Sequence, residues 1–82
     1  MIAYTENVLP HLTEKQERVY RIFKLFPSLN FTNAEIAKEL GVPHHHVAPR
    51  AGELRDAGLI VEVLRRVCTV TGNLAWAKRL KQ

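Results

Sequence analysis

Several protein classes are excluded by what this chain lacks. It holds a single cysteine, so no internal disulfide forms; a stapled secreted mini-protein is ruled out and a reducing cytoplasm fits. No window approaches the run of about 18 apolar residues that a membrane span requires, and Met1-Ile2-Ala3-Tyr4-Thr5-Glu6 lacks the pattern of a signal peptide. Repeats and low-complexity tracts are absent apart from His44-His45-His46. With 82 residues the chain allows one domain around one small core, too little for two lobes and a deep substrate cleft. Its 46% apolar and 24% charged residues are ordinary for a folded domain.

Acidic residues run out towards the C-terminus. Residues 1–57 balance Lys15, Arg18, Arg21, Lys24, Lys38, Arg50 and Arg55 against Glu6, Glu14, Glu17, Glu35, Glu39, Glu53 and Asp56. Residues 58–82 set Arg65, Arg66, Lys78, Arg79 and Lys81 against Glu62 alone, so the whole net charge of +4 lies there. A localised excess of this kind implies an anionic partner, or else a solubilising tail.

Residues 1–12 read as an N-terminal arm ending just after Pro10. Thr13-Glu14-Lys15-Gln16 is a capping box. Val19, Ile22, Phe23 and Phe26 follow at helical spacing, up to a stop before Pro27. Thr32-Asn33-Ala34-Glu35 opens a second helix with the stripe Ile36, Ala37 and Leu40, and Gly41 closes it. A third helix is expected over about 45–57, with Val47, Ala51 and Leu54 inward and Gly58 as its end. Pro49 fits it only within the first turn, where a missing amide costs little. From Ile60 β-branched residues predominate, and Thr71-Gly72-Asn73 marks a turn between two strands. Leu74, Trp76 and Leu80 share one face at period two and are expected in the core, with a bulge near Leu64 and Arg65 where the alternation slips. The expected class is mainly α with a β-hairpin (α+β): three helices followed by a two-stranded wing.

Two short helices joined by Gly41-Val42-Pro43 read as a helix-turn-helix or, more blandly, as the corner of a three-helix bundle. The residues around and beyond the corner narrow the choice. Ile36-Ala37-Lys38-Glu39-Leu40-Gly41-Val42, then Ala48-Pro49-Arg50 and Glu53-Leu54-Arg55, then Arg65-Arg66 and Thr71-Gly72-Asn73-Leu74-Ala75-Trp76 resemble small winged helix-turn-helix domains of the phage and prophage type. The likeness covers residues 13–80 and includes a reading unit similar to that of MarR-type regulators. Two features depart from the pattern: histidines stand where such families carry Ser, Thr or Gln, and no long dimerisation helix follows the wing.

The resemblance implies that the third helix enters a DNA major groove while the wing reaches phosphates or the adjacent minor groove. Carried over, His44, His45, His46 and Arg50 are candidates for groove contact, with Arg50 placed to read guanine bidentately or to pair with Glu53 or Glu14. Arg65, Arg66, Asn73 and Lys78 are candidates on the wing; adjacent strand residues face opposite ways, so one of the two arginines is expected to reach the backbone. Thr32 and Asn33 would set helix N-terminal amides on a phosphate. No cofactor and no metal is expected, since three consecutive histidines lie about 100° apart on a helix and cannot converge, and neither His11 nor Cys68 completes a ligand set. No nucleophile has a positioned base and no Gly-rich phosphate loop exists, so an enzyme is not expected. Cys68 reads as a small packed hydrophobe.

The function expected is double-stranded DNA binding by a small transcriptional regulator. The alternative is a winged-helix module that binds a host, replication or transcription protein. One module of this size covers only about 600–1,000 Å² of protein surface on DNA, which implies a homodimer on paired half-sites or a protein partner. Ile2, Tyr4, Val8 and Leu9 of the arm could supply the dimer surface, or could pack onto the domain itself.

Overall fold

The computed structural model describes residues 12–81. Helix α1 (Glu14–Leu25) starts at the expected capping box: the Thr13 hydroxyl accepts from the Gln16 amide at 3.2 Å, and the Gln16 side chain accepts from the Thr13 amide at 2.9 Å. Val19, Tyr20, Ile22 and Phe23 form its buried face. Phe26, expected on that face, is instead the C-cap and half exposed, edge-on to Phe31. It lies past the last helical residue, where the 3.6-residue period no longer directs a side chain inward.

Helix α2 (Asn33–Leu40) repeats the device, with Thr32 capping Glu35 and Glu35 capping Thr32. It ends at Gly41, whose φ of 70° is left-handed and suits a residue without a Cβ. Helix α3 (His44–Asp56) buries Val47, Ala51 and Leu54. Pro49 lies in its second turn, not its first as expected. The helix therefore forgoes the bond that an amide at 49 would give the carbonyl of His45, and packing of Val47, Ala51 and Leu54 against α1 and α2 offsets that loss.

Strands β1 (Ile60–Val67) and β2 (Leu74–Leu80) pair antiparallel. The register slips between Glu62 and Leu64, one residue before the expected place, leaving Val63 without a partner across the ladder. Phe31 adds a one-residue third rung on the far side of β2, exchanging two 2.8 Å bonds with Lys78. That rung anchors the base of the hairpin to the body. There Ile60 and Ala77 are buried, and Leu80 packs on the core of Val19, Phe23, Ile36, Val47 and Leu54. Each such apolar side chain contributes roughly 1.5–3 kcal/mol on burial.

The far half of the hairpin extends past the core. Leu74 is 61% and Trp76 47% exposed, so the expected core face is corrected: of that trio only Leu80 lies near enough to the helices to be covered. The turn closes as expected, with the Cys68 amide on the Asn73 carbonyl at 2.8 Å and Gly72 at φ 77°. Three helices followed by a two-stranded hairpin make this a winged helix-turn-helix fold. The expected N-terminal arm lies outside the described residues, apart from Leu12, which packs on the core.

Candidate nucleic-acid interface

The turn from Gly41 to Pro43 sets α3 across α2. Ala37 is small where the two helices meet, and Val42 and Val47 fill the corner. With Val47, Ala51 and Leu54 turned inward, the start of α3 presents His44, His45 and His46 to solvent. The rings of His45 and His46 meet edge to face at 4.6 Å. Among the described residues no three His, Cys, Asp or Glu side chains come together as a metal site would require.

Exposed cations surround this face. Lys15 and Arg18 of α1 border a depression shared with His46, and Lys38 of α2 borders another shared with His44 and Thr71. None of the three forms an ion pair among the described residues. Sequence reasoning did not nominate them; their placement off the apolar stripes of α1 and α2 was the available signal.

The nominated arginines have different surroundings. Arg50 pairs with Glu53, its Nε 3.0 Å from Oε1 and a terminal nitrogen donating to Oε2 at 3.2 Å. Glu53 also accepts from Gln16 of α1 at 2.7 Å. Arg65 is exposed, opposite Trp76 in the ladder, and its side chain has no hydrogen bond or ion pair among the described residues.

Arg66 points the other way, into the body. Its guanidinium holds both oxygens of Glu35 at 2.7 and 2.8 Å, and also donates to the side chain and carbonyl of Asn30. The same carboxylate accepts from the amide and hydroxyl of Thr69, both at 3.0 Å. Glu35 thus joins α2, β1 and the hairpin loop. The Arg66 bonds, helped by those from Thr69 and Thr32, outweigh burial and bring its carboxyl down from 4.5 to about 2. In the sequence Glu35 announces only its capping role; its partner lies 31 residues on.

The remaining candidates sit deeper. Thr32 is buried, its hydroxyl 3.0 Å from Cys68 Sγ. Burial pushes the Cys68 thiol up, but bonds from the Thr32 hydroxyl and from Val70 and Thr71 outweigh it and bring the thiol to about 7. Asn33 accepts from Lys78 Nζ at 3.1 Å. Lys78 is 6% exposed, and burial lowers its pKa. Asn73 is exposed at the turn, its amide donating to the Thr71 hydroxyl at 3.2 Å. Arg65 and the α3 histidines therefore lie on open surface, while Arg66, Lys78 and Thr32 are engaged within the protein.

No protein-family model matches the chain, and no curated protein matches it. Among solved structures it is similar to a possible transcriptional regulator from Methanosarcina mazei Go1, at a TM-score of 0.76 and 15% identity. The alignment covers 95% of this chain and 66% of that one, so the chain spans about two thirds of its length. The likeness is one of fold. No helix among the described residues is long and apolar enough to cross a membrane.

Proposed function

We propose that the protein binds double-stranded DNA as a small transcriptional regulator of the cytoplasm, with the start of α3 in the major groove and the hairpin on the backbone or the adjacent minor groove. The observation that carries this reading is a set of exposed cations with no ion pair among the described residues: Lys15, Arg18 and Lys38 beside the start of α3, and Arg65 on the hairpin. A helix about 10–12 Å across fits the groove, and exposed cations beside it would hold it on phosphates. His44, His45 and His46 face the bases, with Arg50 beside them once it leaves Glu53. Arg65 and Asn73 contact the backbone from the wing. Arg66 and Thr32 hold the wing and α2 in place, a supporting role in place of direct contact. A compact regulator of the phage or prophage type, its reading unit similar to that of MarR-type proteins, agrees with this arrangement.

The test is binding to random-sequence duplex over a range of salt. Three to four phosphate contacts predict that log K falls against log salt with a slope near −3 to −4, and Arg65→Ala reduces that slope by about 1. Absence of binding at low salt sinks the reading. One observation favours a second reading, a protein partner on the wing: Val67, Leu74 and Trp76 form an exposed apolar strip on one face of the hairpin. Leu74→Ser with Trp76→Ser leaves random-duplex affinity unchanged if that strip serves a protein.

A further inference from the structure

Arg50 and Glu53 stand one turn apart on α3 and face each other, with Nε 3.0 Å from Oε1 and a terminal nitrogen donating to Oε2 at 3.2 Å. The carboxylate is also fixed from the other side. Gln16 of α1 donates from Nε2 to Glu53 Oε1 at 2.7 Å, while its own Oε1 accepts from the Thr13 amide at 2.9 Å. The capping box that starts α1 therefore sets which way the Gln16 amide points, with its donors toward α3. Glu53 is the anchored member of the pair, tied to α1, and Arg50 is the member that can leave.

Arg50 is incompletely satisfied where it stands. A guanidinium carries five donors, and among the described residues one of them, the donor directed at Oε2, makes a hydrogen bond. Nε is buried at ion-pair distance from Oε1, yet makes no hydrogen bond among the described residues. His46 lies four positions earlier, on the same side of the helix, so a freed Arg50 extends beside the exposed histidines. The two acceptors that a duplex offers there are not equivalent. A phosphate drawn to the arginine also meets the carboxylate left behind, like charge against like. The O6 and N7 edge of guanine takes two donors at once and carries no net charge.

We infer that Glu53, anchored by Gln16, is a specificity-determining residue: it withholds Arg50 from phosphates and yields it to a guanine edge. Glu53 acts through Arg50, as a positioning residue. The inference rests on the DNA reading and adds to it a device that keeps binding to arbitrary sequence weak. The two side chains are 27% and 46% exposed, and exposed pairs are weak, so the restraint is one of a few-fold and not an all-or-none lock.

Glu53→Gln removes the charge with little change of shape. It is expected to raise affinity for random-sequence duplex about twofold to fivefold at low salt. It should also steepen the fall of log K against log salt by about 1, as Arg50 reaches a phosphate, and flatten the base preference found by selection from a random pool. In an Arg50→Ala background these gains disappear. A gain that persists there is plain loss of repulsion and overturns the inference, as does unchanged or weaker random-duplex binding by folded Glu53→Gln. The wild type supplies a readout without any variant, the magnetic resonance signal of Arg50 Nε–H. That signal is expected to hold its position with random duplex and to move with a duplex from the selected pool; movement with random duplex overturns the inference. Wild-type binding at low salt separates the two claims. Where it is present, the overturning outcomes strike the role of Glu53 alone; where it is absent, the DNA reading fails and this inference with it.

Discussion

The two ends of the hairpin are held by different means. At its base, Ile60, Ala77 and Leu80 pack into the helical core and Phe31 adds a backbone rung to β2. At its far end Val67 and Leu74 face each other across the ladder at 58% and 61% exposure. There the Arg66–Glu35 clamp and the bonds from Thr69 take the place of burial. A side chain at the base is thus part of the fold, while one at the far end can be given over to a partner.

The contrast is broken most directly at Ile60. Ile60→Ala is expected to cost about 2–5 kcal/mol by urea denaturation, whereas Leu74→Ala at the far end stays within about 0.5 kcal/mol. Equal losses at the two positions would show that the far end is covered. Glu35→Gln comes next, at about 2 kcal/mol, since it replaces charge-assisted bonds with neutral ones. Its signature lies in pH dependence. The folded carboxyl lies at about 2 against an ordinary 4.5, so its stabilisation is complete above pH 4.5 and is lost as pH falls towards 2. Glu35→Gln should remove that component of acid sensitivity. The smallest effect is expected at Arg65, whose replacement by alanine leaves the unfolding midpoint unchanged while lowering the salt slope of DNA binding.

The same contrast explains which features are legible in the sequence. Both capping boxes, the left-handed Gly41, the turn at Gly72 and the bulge are set by residues within a few positions of one another, and the structure shows all of them. Period two misplaces Trp76 and Leu74 because it tells which side chains share a face, not how far along the strand the core reaches. That limit comes from the rung between Phe31 and Lys78, 47 positions apart. The division of labour between Arg65 and Arg66 is half legible: alternation separates their faces, but only the approach of α2 shows which face meets Glu35. The burial of Lys78 against Asn33, 45 positions away, needs α2 and β2 brought together, and no local spacing encodes that.

The bulge at Val63 has a consequence for solubility. Among the described residues no strand lies beside the outer edge of β1, and five of its eight residues, Ile60, Val61, Val63, Leu64 and Val67, are apolar. A straight edge of that composition is a template on which another chain can add its own strand. The slipped register breaks the run of evenly spaced amides and carbonyls midway, and Glu62, Arg65 and Arg66 interrupt the apolar run with charge. The slipped register thus also guards the protein against stacking edge to edge into aggregates.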